Sequence, residues 1–177
     1  MQYDETYFNR NIPETWFRKR GILRPDQLAG LCYVMDWPFW TNERTDRRKP
    51  GHVLSVGCGL GDLEVELEKQ GVKVTGYDPY YYDKYQGREC LQHYKGEKYN
   101  TILFCESIEH LPEAEIDYII NSQAGGTRII IVNWPDNHPI LPEGFDHITQ
   151  IDDTFFDKLL GDRKPLVRRG SHLVYDK

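Results

Sequence analysis

Residues 52–79, HVLSVGCGLGDLEVELEKQGVKVTGYDP, constrain this chain more than any other stretch. Val53, Leu54 and Val56 form an apolar run suited to a buried strand. Glycines then fall at Gly57, Gly59 and Gly61, where the backbone has to turn sharply and come close to something. Leu63, Val65 and Leu67 follow among acids and Lys69, Gly71 supplies a helix stop, and Val72, Val74 and Tyr77 alternate like a second strand that ends at Asp78. Strand, loop, helix and strand in this order make a crossover. Crossovers of this kind build a parallel sheet, and in open α/β sheets ligands bind at the carboxyl ends of the strands.

The glycine loop and Asp78 both fall at that edge. A carboxylate there can accept hydrogen bonds from two ribose hydroxyls, while backbone amides of the loop and helix start reach a polar, partly anionic group. The ligand is therefore expected to carry a ribose. A dinucleotide fingerprint, G-x-G-x-x-G/A, would need a small residue at position 62, and this chain has Asp62 there. The pattern present is G-x-G-x-G.

With VLSVGCGLG as a first motif and Asp78 closing the second strand, the stretch resembles the class I S-adenosylmethionine-dependent methyltransferases. The resemblance implies a Rossmann-like, mostly parallel sheet ending in an antiparallel strand pair. It also implies S-adenosylmethionine as cofactor, with Gly57, Cys58, Gly59, Gly61, Asp78, Pro79 and Glu106 around it. The chain departs from the family at Ser55, where an acid is usual. The plain alternative is a structural glycine turn in some other α/β protein.

The 177 residues suffice for one domain with a sheet of several strands and helices on both faces. The expected division is an N-terminal helical cap, 1–50, and a cofactor-binding core, 51–177. A net charge of −6 counts against a partner held mainly through phosphates. A small-molecule substrate is expected rather than nucleic acid. Cys32, Cys58, Cys90 and Cys105 show neither a C-x-x-C pair nor disulfide-like spacing and read as reduced thiols. No signal peptide opens the chain, and its most apolar later run, 129–132, is too short to span a bilayer, so a soluble, cytoplasmic-type protein is expected.

In the first fifty residues, Pro13, Pro25 and Pro38 interrupt short helices rich in aromatic side chains. In the family that the chain resembles, such a segment covers the cofactor and helps to shape the substrate pocket; simple packing on the sheet is the alternative. After Asp78, the tyrosine-rich run to the next clear strand is too short for a full helix and strand. The second helix is expected to shrink to a turn and the third strand, around 88–91, to be short or missing. Tyr80, Tyr81, Tyr82 or Glu89 could face an adenine. NTILFC (100–105) reads as the fourth strand, LPEAEIDYIINSQ (111–123) as a helix stopped by Gly125 and Gly126, and TRIIIVN (127–133) as an interior fifth strand. A short helix over 154–160 capped by Asp152 or Asp153, and two strands joined at 169–171, complete the chain.

The run ESIEH (106–110) falls where the fourth strand delivers residues to the ligand crevice. Methyl transfer from a sulfonium is an in-line displacement, so the protein has to align the acceptor and, for a hydroxyl, remove its proton. His110 is the candidate base, because its ordinary pKa lies near neutrality, with Glu109 beside it. E-x-x-E-H also resembles the metal motif of small-RNA 3′-end 2′-O-methyltransferases. That resemblance implies Glu106, Glu109, His110 and a later histidine, His147 before His138, around a divalent cation. Glu-His pairs occur after this strand without metal too, and a metal is not expected. His52, His93 and His172 lack such context, and Arg163, Lys164, Arg168 and Arg169 read as a solvated face. The expected function is methyl transfer to oxygen or nitrogen of a small molecule. The alternatives are a metal-assisted RNA 2′-O-methyltransferase and a cofactor-binding module without catalysis.

Overall fold

A computed structural model describes residues 50–59, 61–79, 90–133, 148–169 and 172–177. The expected N-terminal cap, the adenine-facing candidates Tyr80, Tyr81, Tyr82 and Glu89, and the candidate ligands His138 and His147 lie outside these residues.

The sheet has seven strands in the order β3-β2-β1-β4-β5-β7-β6. They are β1 (His52–Val56), β2 (Lys73–Tyr77), β3 (Cys90–Leu91), β4 (Thr101–Cys105), β5 (Arg128–Val132), β6 (Val167–Arg169) and β7 (His172–Asp176). The first five strands pair in parallel; β7 returns antiparallel to β5 and carries β6 on its outer edge. Among the described residues three α-helices accompany them, α1 (Asp62–Lys69), α2 (Glu113–Ser122) and α3 (Asp153–Leu160).

Strand residues alternate between the two faces with the period of a pleated sheet. Leu54, Val56, Ile102, Phe104, Ile129, Ile131, Leu173 and Tyr175 belong to one buried cluster, which Ile116, Ile119 and Ile120 of α2 and Phe155, Phe156 and Leu160 of α3 complete. Val53, Leu103, Ile130, Val132 and Val174 belong to the other, against Leu63 and Leu67 of α1. β5 is buried on both faces, as its run of isoleucines requires.

Within the described residues the expected strands and helices are present, with their bounds shifted by a residue or two; the expected N-terminal helices and shortened second helix fall outside them. The third strand is reduced to two residues. The polar stretch after it is tied to α2 by side chains: Gln123 Oε1 accepts from Tyr99 N at 2.9 Å, and Tyr94 Oη bonds to Ser122 Oγ at 2.6 Å. Asp152 caps α3 by accepting from Phe155 N at 2.9 Å, an arrangement worth about 1 kcal/mol. Arg168 reaches Asp153 at 2.7 Å and Asp157 at 2.6 Å across an exposed surface, as a solvated face would. Among the described residues, no helix is long and apolar enough to cross a membrane.

Going outward from β1, the chain runs to β2 and β3 on one side and to β4 and β5 on the other. The reversal leaves a crevice beyond the carboxyl ends of β1 and β4, the place where open α/β sheets bind ligands.

Candidate cofactor and acceptor site

The glycine loop leaves β1 at the mouth of this crevice. Gly57 has φ +71°, a conformation that side-chain-bearing residues adopt only with strain. Space is as restrictive as the dihedral, because a Cβ on Gly57 would come within 2.3 Å of Ser107 Cβ. Ser107 in turn donates from Oγ to Val56 O at 2.5 Å, so the turn after β4 is fastened to the last residue of β1.

Two loop amides fasten the other side. Gly57 N and Cys58 N donate to Tyr77 O at 2.7 and 3.2 Å, which draws the loop across the end of β2. Asp78, the next residue, is 5% exposed, and its Oδ2 accepts from Gly59 N at 2.9 Å. Pro79 follows it, half-buried. A carboxylate offers about four acceptor directions, which suits it to bind hydroxyl groups. Gly61, in the left-handed conformation at φ +82°, starts α1 without a side-chain cap. The first turn of that helix therefore begins beside the loop, with its amides directed toward the same edge.

Cys58 Sγ lies 3.3 Å from Cys90 Sγ of β3. Burial, the contact with Cys90, and the nearby carboxylates of Glu64 and Asp78 push the Cys58 thiol up from its ordinary value. Cys58 and Cys90 are not joined in a disulfide, and nothing in the sequence marked their approach. Ser55, where the family usually has an acid, is 2% exposed and sits inside the sheet between Gly76 and Leu103.

The second part of the site is the turn that follows β4. Glu106 remains laddered to β5 through its amide, which donates to Val132 O at 2.8 Å, yet has φ +53°. Positive φ at a residue with a long side chain costs about 1–3 kcal/mol and persists only where surrounding contacts enforce it. Here the enforcing contacts are those of Ser107 and of Ile108, which is fully buried at the start of a 3-10 turn, Ile108–His110.

Glu109, 4% exposed, is the hub of this turn. With the Asn133 amide nitrogen turned toward it, that group donates to Glu109 Oε1 at 3.0 Å and Oε2 at 2.6 Å. Its main-chain carbonyl accepts from Ile148 N at 2.8 Å and Thr149 N at 3.0 Å. One residue thus ties the end of β5 to the point where the described chain resumes before α3. His110 is less enclosed, with its side chain 16% exposed, and its Nε2 stands 3.8 Å from Glu109 Oε1.

The structure therefore gathers the two groups of candidates unequally. Gly57, Cys58, Gly59 and Asp78 form one connected cluster, drawn together at the ends of β1 and β2. Ser107, Glu109, His110 and Asn133 form the neighbouring one across the loop. Ser107 and Asn133 were missed in the sequence, where a serine and an asparagine after strands carry no distinctive spacing. Among the described residues no three His, Cys, Asp or Glu side chains are grouped to hold a metal ion, so Glu106, Glu109 and His110 do not make such a set by themselves.

This loop and sheet order define a Rossmann-like domain. The methyltransferase domain family matches residues 38–149, more than half of the chain, and the protein belongs to that family. Solved structures agree at the level of fold. The magnesium protoporphyrin IX methyltransferase ChlM from Synechocystis PCC 6803, solved with bound SAH, is 17% identical with a TM-score of 0.56, over 98% of this chain and 94% of that one. The plantazolicin methyltransferase BpumL, solved with a triazolic desmethylPZN analog and SAH, is 14% identical with a TM-score of 0.57, over 88% and 70% of the two chains. DesVI from Streptomyces venezuelae, at 14% identity and a TM-score of 0.50, covers 74% and 59%. No curated protein matches the sequence significantly. The class is that of the S-adenosylmethionine-dependent methyltransferases, as VLSVGCGLG and Asp78 implied.

Proposed function

We propose that the protein transfers a methyl group from S-adenosylmethionine to an oxygen or nitrogen of a small molecule. The observation that carries the reading is the buried Asp78 carboxylate held against the Gly59 amide at 2.9 Å, at the carboxyl edge of a parallel sheet. A Cβ-free Gly57 pressed on Ser107 supports it, because the cradle exists only while that position lacks a side chain.

In this reading Asp78 holds the ribose hydroxyls. Gly57, Cys58, Gly59 and Gly61 pass along the nucleoside with Pro79 beside it, and Glu106 stands toward the amino-acid end. Bound there, the cofactor supplies an electrophilic methyl group on a sulfonium. The protein contributes alignment and a place for the acceptor's proton. His110 is the base for that proton, since its imidazole sits at the partly open end of the turn. Glu109 was expected beside His110 in the chemistry; its burial and its contacts with Asn133, Ile148 and Thr149 favour a positioning role, with the turn as what it positions. The structural neighbours, named for magnesium protoporphyrin IX and for plantazolicin, favour a small-molecule acceptor, as does the net charge of −6.

Titration calorimetry with S-adenosylmethionine, S-adenosylhomocysteine and NAD tests the cofactor half. Heat from the first two and none from NAD is expected, and heat from NAD alone reverses the assignment. Methyl transfer from labelled cofactor to a panel of hydroxyl- and amine-bearing small molecules tests the other half. Label appearing only in RNA, and only with a divalent cation added, would replace the small-molecule reading.

A further inference from the structure

Outside the proposed acceptor chemistry, Cys58 and Cys90 bring two thiols together. The two thiols stand 3.3 Å apart, both partly buried and neither in a disulfide. They come from parts of the chain 32 residues apart, one on the glycine loop and the other on β3. The loop reaches β3 because Gly57 N and Cys58 N bind Tyr77 O and so cross the end of β2. In the parallel register Cys90 pairs with Gly76, so β3 places its thiol just under the loop.

We propose that Cys58 and Cys90 are a site of oxidative modification, closing to a disulfide that ties the glycine loop to β3 and weakens cofactor binding. The cofactor part of this inference rests on the proposed function; the disulfide itself does not.

Three features carry it. A disulfide needs its sulfurs at about 2.05 Å, so closure from 3.3 Å asks for a shift of about an ångström. Both backbones can supply it: Cys58 lies between Gly57 and Gly59, both at positive φ, and among the described strands the two-residue β3 pairs with β2 alone. Finally, the shift falls on the binding geometry. Gly59, one residue after Cys58, donates to Asp78, and Asp78 N donates to Leu91 O, one residue after Cys90. Drawing the two thiols together therefore strains one side-chain and one main-chain hydrogen bond of Asp78.

The chemistry balances with a small disulfide such as glutathione disulfide as oxidant. The Cys90 thiolate attacks one of its sulfurs, displaces one glutathione thiolate and leaves a mixed disulfide on Cys90. Cys58 gives its proton to solvent and attacks the Cys90 sulfur, and the second glutathione thiolate leaves. Two protein thiols are oxidised and one glutathione disulfide is reduced to two glutathiones. Burial of Cys58 opposes its thiolate, which assigns it the second attack, where the mixed disulfide is already beside it.

The full chain is incubated in glutathione redox buffers of graded ratio, alkylated, and mapped by mass spectrometry. S-adenosylhomocysteine affinity is then measured by calorimetry on the reduced, the oxidised and the re-reduced protein. A Cys58–Cys90 cross-linked peptide is expected, together with an affinity weakened about tenfold or more and restored by dithiothreitol. Cys90→Ser, with Cys90→Ala beside it in case a serine disturbs β3, should bind like the reduced wild type and ignore the oxidant. Failure to form that cross-link at any ratio, or a cross-linked protein with unchanged affinity, overturns the proposal. Reduced protein that does not bind S-adenosylhomocysteine instead refutes the cofactor reading, and the peptide map then judges the disulfide alone.

Discussion

The two halves of the crevice are built by different means. At the ends of β1 and β2 the chain is shaped by its own backbone: glycine at φ +71° and +82°, amides donating to Tyr77 O, and one carboxylate taking the Gly59 amide. At the ends of β4 and β5 the chain is held by side chains from far along the sequence. Ser107 reaches back to Val56, Asn133 holds Glu109, and the one described non-glycine residue at positive φ, Glu106, is kept there by these contacts. A backbone-built site tolerates change wherever its glycines are kept. One built from side chains depends on each partner, because a buried polar group that loses its partner costs more than the bond contributed.

The sharpest test of that contrast is His110→Ala. It should lower turnover by about 10²–10⁴-fold, as expected for loss of a general base, and leave S-adenosylhomocysteine affinity near the wild-type value. Retained turnover would remove His110 from the chemistry, and lost affinity would show that the two halves are not separable.

Asp78→Ala is the counterpart on the other side. Its cofactor affinity should weaken by about 1.5–3 kcal/mol, the value of a hydrogen bond to a charged group, and an unchanged calorimetric titration takes Asp78 out of the ribose role. Gly57→Ala introduces a Cβ 2.3 Å from Ser107 Cβ at a left-handed φ, so both halves should suffer. Urea unfolding is expected to show a loss of about 1–3 kcal/mol, with cofactor binding impaired. If Gly57→Ala folds and binds normally, the loop is not pressed on the turn as described.

Asn133→Ala removes both amide contacts to Glu109 and should cost about 1–3 kcal/mol of stability. It should reduce kcat more than cofactor affinity, and Asn133→Gln is the milder variant to compare. The reverse split would place Asn133 with the cofactor.

The smallest effect belongs to His52, at the far end of β1, where Nε2 lies 2.8 Å from Thr75 Oγ1. Burial, and then the charge of Lys73, hold its imidazole below the ordinary value. Between that lowered value and the ordinary one, about 6.5, the unfolded chain binds more protons than the folded one. Stability should therefore rise with pH through this window and be lost as pH falls, and His52→Gln should flatten the slope. Denaturation midpoints across the window check it, and a slope that survives the substitution assigns it elsewhere.

Legibility in the sequence followed the same division. Gly57, Gly59, Gly61 and Asp78 could be read directly, because glycine at left-handed positions and an acid at a strand end announce a backbone geometry within one short crossover. The sheet was readable for a related reason: strands buried on both faces, such as β5, are continuous apolar runs, and the antiparallel end needed only two short strands and a turn. The roles of Glu109, Ser107 and Asn133 were not readable. Glu109 was expected beside His110 in the chemistry, and its contacts with Asn133, Ile148 and Thr149, which tie the end of β5 to the chain before α3, left no mark in the sequence. The approach of Cys58 to Cys90 was equally hidden, since it depends on the loop crossing β2 to reach a two-residue strand.

By itself the sequence determined the crossover, the glycine-loop edge and the family, because these depend on residues close together whose dihedral and burial preferences are local. Tertiary structure alone decided which side of that edge each buried polar group serves. A hydrogen-bond partner tens of residues away leaves no periodicity behind, and its identity is set only when the strands that carry both groups lie side by side.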